Sequence, residues 1–564
     1  MSETILSPTV VQRENDNTLI RRGPISFGAA ILGPTAKGPV EIPTYITSYS
    51  EFVNKFGNSV MVEGSPKSYM TSIAVQQFFQ SGGTSVLVAR VTPGEFTPAT
   101  SEEILSGEID GVGSEVNTFV LETLSEGAIM NSNVEGTKDN LKFDITNVNE
   151  SSGTFSLQIR RGDDTPNNKV ILESFSSLSL DPLSNDYIVK RIGDMKSQLI
   201  TSSDIPYIEE VGNYENTSNY VRVKSVGLKT PNYLNNDGSP KTIFSGYMPT
   251  ILEGGTFENG DGDNVTSTSR FYHEINSSNT EGLVPEDYDD MISLLNNRDD
   301  YQFRYLVAPG LVSEFHTSQV SSLSNLAQFR GDCMFITDMV GYGKTETEVK
   351  QQAGAFDTSY TTTQWPWLTT IDSNTGDIVK VTSSTMMLAL YTASDLVGEP
   401  WFAPAGTTRG LLNAIRAERK LPKSSRDNLY SSNINPISTL PGVGLALMGQ
   451  KTLQKRATAT DRVNVRRLLI ELKQFIGQVA NGILFDQNTQ ATRNSFLAQV
   501  NPYLQSVKER QGLFAFDVIM DDSNNTSSVI DRNQLVGQVR LQPTRTAEFI
   551  ILDYTLEPTG TSFE

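Results

Sequence analysis

The sequence predicts a multi-domain α/β (α+β) protein: a discontinuous α/β core, a β-rich inserted outer domain, and extended N- and C-terminal β arms. Helix-like and strand-like segments alternate before residue 95 and again after residue 285, which indicates one α/β layer. Residues 96–284 are instead rich in Asn, Ser, Thr, Asp and Gly and carry short alternating strands. A chain of 564 residues is also too long for one compact core.

The first 95 residues predict an arm followed by the first part of the core. Residues 1–20 are interrupted by Asn15-Asp16-Asn17, and such terminal segments are ordered only when they pair with something else. Ser65-Pro66 predicts a helix start, with Ser as the N-cap and Pro at the first position. The core segment 21–95 is expected to contain the strand Ile25–Leu32, the helix Ser48–Phe56, the helix that starts at Ser65 and the strand Val86–Val91.

The insert 96–284 and the second core segment 285–545 differ in pattern. In the insert, polar turns separate strands such as Leu141–Ile145 and Phe155–Ile159. Alternation then resumes with the predicted helices Asp287–Leu295 and Val320–Phe329 and the predicted strands Phe303–Ala308 and Cys333–Thr337.

Helix 464–483 has the clearest amphipathic pattern, and two strand-like runs end the chain. Arg466 and Arg467 lie off the apolar stripe of that helix. Its stripe consists of Val465, Leu468, Leu469, Leu472, Ile476, Val479 and Ile483. The first strand-like run places Leu535, Val539 and Leu541 on one side. In the terminal arm, 546–564, the second run does the same with Ile550, Leu552, Tyr554 and Leu556.

The charge distribution excludes some functions and indicates one docking surface. The net charge of −20 argues against wrapping nucleic acid, which needs a basic surface. No apolar run reaches the ~18 residues of a membrane span, and no secretory signal is visible at the N-terminus. Residues 409–473 nevertheless hold 13 basic and 4 acidic side chains. This basic segment is either a docking face for an acidic partner or a solvated helix surface.

Motifs that would indicate catalysis are incomplete, so no catalytic, cofactor-binding or metal residue is expected. Gly343-Lys344-Thr345 lacks the earlier glycine of a phosphate loop, because Asp338 occupies that position. The two histidines, His273 and His316, do not have zinc-site spacing. The single Cys333 lies in an apolar run and is expected in the core. Asp261 and Asp263 leave a weak cation site open as an alternative to a flexible turn.

The C-terminal third contains several specific stretches. They are Glu399–Gly406 with Arg409-Gly410, Asp461–Leu469, Asn524-Asn525-Thr526 with Val529–Asn533, and Pro543 with Glu548-Phe549-Ile550. These stretches resemble the contractile tail sheath proteins of myophages, closest to the T-even type. An N-terminal block with Gly38-Pro39, Phe56-Gly57 and Gly82-Gly83 is similar to the same family, whereas the insert has no specific match.

The resemblance implies a structural, non-enzymatic protein without a cofactor. Such subunits form hexameric rings, stacked helically around a tail tube, and contract without nucleotide to drive the tube through the host envelope for genome delivery. The implied partners are further copies of the chain, the tail tube protein, and baseplate and tail terminator proteins. The implied location is the virion, with assembly in the host cytoplasm.

The resemblance also implies that the arms add strands to the sheets of neighbouring subunits, since an isolated arm can be held by an exposed sheet edge. The residues expected in this exchange are Thr9, Val10, Val11, Gln12, Arg13, Ile550, Leu552, Tyr554 and Leu556.

The basic segment gains a hypothetical role from the resemblance. Arg462, Arg466, Arg467 and Lys473 are expected to face an acidic tail tube. Exposed ion pairs contribute only ~0–1 kcal/mol each, which suits a contact that has to break. The alternative is that the arginines pair with carboxylates of their own chain, for example Asp461 or Glu471.

Other classes of protein remain open at this stage. A close variant is the sheath of a phage-derived bacteriocin or injection device. A virion adhesin or fibre protein would suit the Asn- and Ser-rich insert but not the α/β core. A glycoside hydrolase would need two carboxylates across a cleft, which the sequence cannot exclude.

Overall fold

The computed structural model describes residues 28–94, 96–109, 115–126, 140–201, 206–260, 262 and 267–552. The elements before the insert are β1 Ala29–Gly33, β2 Thr44–Ile46, α1 Tyr49–Phe56, β3 Val60–Val62, β4 Ser65–Lys67, α2 Met70–Gln80 and β5 Val86–Arg90. The helix expected at Ser48–Phe56 is α1, and the Ser48 side chain accepts a hydrogen bond from the backbone N–H of Glu51.

The predicted helix start at Ser65-Pro66 is wrong. Strand β4 pairs with β3, and only Glu63 and Gly64 connect Val62 to Ser65. Both connecting residues have positive φ, 50° and 79°, which is the backbone of a two-residue hairpin turn. The glycine turn therefore overrides the capping signal, and α2 begins at Met70.

The insert forms its own antiparallel sheet of seven strands, in the order β10-β9-β8-β14-β6-β7-β13. Strands β11 and β12 form a separate hairpin. The predicted strands at 141–145 and 155–159 lie inside β8 and β9. The elements are β6 Pro98–Ser101, β7 Phe119–Glu126, β8 Leu141–Asn149, β9 Thr154–Arg161, β10 Ile171–Ser179, α3 Ile188–Ile192, β11 Lys196–Ile200, β12 Tyr207–Val211, β13 Val221–Val226 and β14 Leu252–Glu258.

The second stretch of alternating elements follows the insert. The predicted strand 303–308 is longer than expected, since β15 continues through Pro309-Gly310, where its register with β16 shifts. The elements are α4 Asp289–Leu294, β15 Tyr305–Val312, α5 Thr317–Arg330, β16 Met334–Asp338, α6 Glu346–Ala353, β17 Thr361–Trp365, β18 Leu368–Ile371, β19 Ile378–Val381, α7 Ser383–Val397, α8 Gly406–Arg409, β20 Arg416–Ala417, α9 Lys423–Ser431, β21 Asn435–Leu440 and β22 Gly444–Leu447.

One eight-stranded sheet joins the two stretches, in the order β2-β5-β1-β15-β16-β17-β21-β22. Its six inner strands are parallel and the edge strands β2 and β22 are antiparallel. Strand β1 lies between β5 and β15, so residues from both sides of the insert share the sheet. Alternate side chains enter separate apolar clusters on its two faces, as a parallel sheet buried on both sides requires. The domain boundaries at 95 and 285 stay a prediction.

The chain then forms a smaller C-terminal lobe, made of α10 Val463–Asn481, α11 Gln490–Glu509, β23 Leu513–Ile519, α12 Ser527–Ile530 and β24 Gln538–Pro543. The amphipathic helix is confirmed as α10. Leu468 and Leu472 lie in the apolar cluster of the lobe, where Val539 and Leu541 of β24 also pack. Val463 and Ile470, in contrast, belong to a cluster of the eight-stranded sheet. Helix α10 therefore has apolar neighbours on two sides and joins the lobe to the sheet.

Candidate assembly interface

The first two turns of α10 bury arginines that were expected on the surface. Arg467 is 3% exposed. It pairs with Asp395 of α7 and donates from Nε to the Tyr305 hydroxyl at 2.8 Å. Arg466 is 7% exposed, donates to Ser359 Oγ, and its guanidinium carbon lies 3.9 Å from the ring centroid of Tyr360. Burial lowers the pKa of Arg466.

The expected exposure of Arg466 and Arg467 is therefore wrong. Because α10 packs against the sheet on one side and the lobe on the other, its N-terminal half has no free polar face. The two guanidinium groups are held by partners within the chain. Whether the basic segment contacts a tube stays a prediction.

The other two basic residues differ in their surroundings. Arg462 precedes α10 and contacts Asp461 at 2.8 Å and Glu548 at 2.7 Å, so the alternative of pairing within the chain holds for this residue. Glu471 pairs with Arg304 instead, at 2.7 Å. Lys473 is exposed, and its Nζ lies 3.1 Å from the Tyr360 hydroxyl.

Strands β23 and β24 form a two-stranded antiparallel sheet at the surface of the lobe. Val518 and Val539 face the cluster beneath it. Among the described residues, each strand pairs only with the other, so each retains one backbone edge without a partner strand. An unpaired edge is a template for a strand from another chain.

The chain leaves β24 through a short segment held mainly by side chains. Thr544 is fixed to the start of β23: its N–H donates to Gly512 O at 3.2 Å and its hydroxyl donates to Gln511 O at 2.6 Å. We define the strap as the next four residues, 545–548. Gln450 Nε2 donates to the strap twice, to Thr546 Oγ1 at 2.6 Å and to Glu548 Oε1 at 3.0 Å.

Glu548 is the main attachment point of the strap. Its carboxylate accepts hydrogen bonds from Arg462 Nε at 2.7 Å, from Arg462 Nη2 at 3.0 Å and from the Tyr430 hydroxyl at 2.8 Å. Burial raises the pKa of this carboxyl, but these donors and Gln450 outweigh burial and lower the pKa below its ordinary value. The carboxylate therefore stays charged and bound near neutral pH.

The four residues that follow the strap are apolar and exposed to solvent. Phe549, Ile550, Ile551 and Leu552 are between 68% and 85% exposed. Ile550 and Leu552 were expected in a strand, but residues 550–552 have no regular structure. The other residues expected in strand exchange, Thr9–Arg13, Tyr554 and Leu556, lie outside the described residues.

The side chains that raised the question of catalysis have structural partners. Lys344 pairs with Glu314 and Glu348, and Asp338 accepts hydrogen bonds from Ser383 and Ser384 at the start of α7. His316 lies between the backbone of Val312 and Asn276.

Metal and membrane sites were also considered. Burial raises the pKa of the Cys333 thiol. Within the described ranges, no group of His, Cys, Asp and Glu side chains could hold a metal ion, and no helix is long and apolar enough to span a membrane. Asp261 and Asp263 lie outside those ranges.

The partners of Glu548 were not predicted from the sequence. The residue itself belongs to a stretch that resembles the sheath family, but Tyr430 and Gln450 precede it by 118 and 98 residues. No local pattern links positions so far apart, because only the folded chain brings α9, β22 and the start of α10 together.

Comparisons with known proteins agree with the resemblance in the C-terminal part. Residues 456–557 match the family model of the phage tail sheath C-terminal domain. The tail sheath protein of Vibrio phage KVP40 is 38% identical over 177 residues, which are 31% of this chain and 26% of that protein. The tail sheath protein of Enterobacteria phage T4 is 39% identical over 176 residues, which are 31% of this chain and 27% of that protein. The matched part thus spans about a quarter of the length of these relatives.

A solved structure extends the likeness of fold to most of the chain. The crystal structure of a sheath tail protein from Listeria innocua matches 92% of this chain and 95% of its own, with a TM-score of 0.53 and 11% identity. At that identity the match shows a shared fold alone. Residues 456–557 are thus similar in sequence to the C-terminal domain of phage tail sheath proteins, and the fold is similar to that of a sheath tail protein over most of the chain.

Proposed function

We propose that this chain is the structural subunit of a contractile phage tail sheath. In this role it polymerises as stacked hexameric rings around a tail tube and contracts to drive the tube through the host envelope for genome delivery. The observation that carries the proposal is the pair β23–β24, whose outer edges have no partner strand among the described residues, beside the exposed apolar residues 549–552. One surface thus offers both an acceptor edge and a segment that needs one.

Strand addition is the physical basis of the assembly. Main-chain hydrogen bonds to an edge supply affinity, and alternate side chains supply specificity. We propose that neighbouring subunits provide the added strands from the arms 1–20 and 546–564. The residues proposed to pair are Thr9, Val10, Val11, Gln12, Arg13, Ile550, Leu552, Tyr554 and Leu556.

Electron microscopy of the purified full chain at high concentration tests this assembly. We expect hollow striated tubes from the wild type. Deletion of residues 1–20 should abolish them, as should Ile550→Asp combined with Leu552→Asp, because a buried zipper face cannot accept two carboxylates. A matched control is Leu183→Asp with Ile243→Asp, since each of these side chains is 67% exposed.

The control variant should form tubes like the wild type. Normal tubes from both arm variants would contradict strand exchange. Compact trimers from the wild type would favour an adhesin or fibre protein instead. A sheath of a phage-derived bacteriocin or injection device is the same kind of assembly, so the microscopy does not separate it from a phage sheath.

For the basic segment we propose a divided role. Arg462, Arg466 and Arg467 hold α10 and the strap through partners inside the chain, and Lys473 presents its charge to an acidic tail tube. The supporting observation is that Lys473 is exposed, whereas Arg466 and Arg467 are buried. Lys473→Glu should weaken co-sedimentation with tail tubes, by about 1 kcal/mol or less because exposed pairs are weak.

Lys229→Glu is the control for net charge, since Lys229 is exposed on the insert. Equal binding of both variants and the wild type would remove Lys473 from the tube contact. Charge reversal at Arg466 or Arg467 cannot serve as this test, because it would disturb folding first.

We further propose that residues 96–284 form an outer domain. The support is that their seven-stranded sheet is assembled from their own strands alone. Baseplate and tail terminator proteins are the proposed partners at the two ends of the sheath. The proposed location is the virion, after assembly in the host cytoplasm, and the proposed role involves no catalysis and no cofactor.

A further inference from the structure

The strap 545–548 is attached to the rest of the chain through side chains. Within the described chain, no backbone–backbone hydrogen bond holds these four residues. They also have little packing support, because cavities of about 500 and 910 Å³ lie along the strap and both are lined by Arg545–Phe549. The attachment therefore rests on the side chains of Thr546 and Glu548.

The donors to Glu548 come from three separate places in the fold. Tyr430 belongs to α9, Gln450 follows β22, and Arg462 precedes α10. A charged acceptor makes each of these bonds stronger than a neutral one. When the contacts of this carboxylate open, the described hydrogen bond that still holds the strap is the one from Gln450 to Thr546.

We propose that Glu548 is a latch that fixes where the C-terminal arm leaves the subunit. With the latch closed, the arm departs at Phe549. With the latch open, it departs at Thr544, which Gln511 and Gly512 still hold, and the four released residues lengthen its reach by about 13–14 Å. The inference rests on the proposed function, since a longer arm matters only if the arm pairs with a neighbouring subunit. The released strap would give the arm extra length, so that subunits can move apart while they remain connected.

Limited trypsin digestion of the dispersed full chain tests the latch directly. Arg545 is exposed, and no Lys or Arg follows it in the sequence, so cleavage there releases the unique peptide Thr546–Glu564. Cleavage requires the strap to leave its site, so its rate reports the open population. Glu548→Ala should raise this rate about tenfold or more.

Three further variants distinguish loss of the latch from a general disturbance of the fold. Asp461→Asn removes the other carboxylate on Arg462 without touching the strap, and its cleavage rate should stay within about twofold of the wild type. Arg462→Ala should also accelerate cleavage, and the double variant with Glu548→Ala should be no faster than Glu548→Ala alone, because the two side chains act through one contact.

Wild-type cleavage rates in Glu548→Ala would overturn the latch. So would an Asp461→Asn variant that is cleaved as fast as Glu548→Ala, because the strap would then depend on the whole cluster and not on its own carboxylate. A double variant whose effect is the product of the single effects would overturn the coupling. The Ile550→Asp/Leu552→Asp variant keeps the latch and should be cleaved like the wild type. If that variant still forms normal tubes, the proposed pairing of the C-terminal arm fails while the latch stands.

Discussion

The eight-stranded sheet and the two-stranded sheet of the C-terminal lobe differ in how far their faces and edges are covered. The larger sheet has apolar clusters on both faces and short antiparallel strands, β2 and β22, at its edges. The smaller sheet has one covered face and, within the described chain, two open edges on strands of six and seven residues. Short edges hinder pairing with other chains, whereas long open edges favour it. The difference teaches that the edges of the larger sheet discourage further pairing, whereas the described edges of the smaller sheet remain available for an added strand.

The largest expected effect breaks the connection between the two regions. Arg467→Ala leaves Asp395 and the Tyr305 hydroxyl without their partner beneath α10, and loss of one member of a buried pair costs about 3–5 kcal/mol. Urea unfolding should show this loss in the free energy of unfolding of the whole chain. Arg540→Ala is the control, because its side chain is 61% exposed and lies 3.8 Å from Asp517, so it should change stability by less than about 1 kcal/mol. Equal effects of the two variants would contradict a role for α10 as the connector.

A cavity in the lobe should weaken that region alone. Leu504 of α11 is fully buried in the apolar cluster of the lobe, and Leu504→Ala should cost about 2–5 kcal/mol there. Hydrogen exchange is expected to accelerate in α11, β23 and β24 and to stay unchanged in β15 and β16. The reciprocal variant, Ile336→Ala in β16, should accelerate exchange in the sheet. Uniform acceleration in either variant would show that the two regions unfold as one unit.

A pH-dependent element lies at the start of α2. Glu281 is fully buried, its carboxylate accepts from the Met70 N–H at the start of α2, and burial raises its pKa to about 8 although this hydrogen bond opposes the shift. The folded protein therefore binds a proton that the unfolded chain releases above the ordinary value of 4.5. Stability must then fall as pH rises from about 4.5 to about 8 and level off above that range.

Replacement of the carboxyl isolates this contribution. Glu281→Gln should flatten the pH dependence of the unfolding free energy by up to about 1.4 kcal/mol per pH unit within that window. Glu258→Gln, at an exposed position of β14, is the control and should keep the wild-type slope. An unchanged slope in Glu281→Gln would mean that the carboxyl does not titrate in this range.

The smallest expected effects compare equivalent helix caps in the two regions. Ser48 caps α1 beside the sheet and Thr489 caps α11 in the lobe, each through a side-chain oxygen that accepts from a backbone N–H. Either change to alanine should cost about 1 kcal/mol. Hydrogen exchange should assign the loss to α1 in Ser48→Ala and to α11 in Thr489→Ala. Faster hydrogen exchange in the eight-stranded sheet of Thr489→Ala would contradict the prediction that each cap stabilises only its own region.

Periodicity and turn residues were enough to predict much of the framework. Apolar runs gave the strands that became β5, β15 and β16, and the three- and four-residue spacing gave α10. Ser65-Pro66 fits a capping pattern but begins the second strand of a hairpin, because the positive φ values of Glu63 and Gly64 form the turn before it. Where a local pattern is compatible with both a helix start and a strand, the residues that flank it decide which one forms.

The candidate interface was less predictable, for a physical reason. A helical stripe identifies one buried face, but α10 is buried on two, so its arginines were assigned to solvent. Asp395 lies 72 residues from Arg467 along the chain, and Ser359 lies 107 residues from Arg466. The partners of Glu548 are similarly distant. Contacts of this kind arise from tertiary packing and leave no periodic trace in the sequence.

The position of Glu548 has a mechanical consequence. Strand β24 ends beside the beginning of β23, with Pro543 opposite Leu513, so tension from the arm would reach their ladder at its terminal pair and peel it open one bond at a time. Glu548 lies between the arm and that vulnerable end. Under the proposed arm exchange, the Glu548 contacts would transfer this load to α9 and the start of α10, and the hairpin would bear it only after the latch opens.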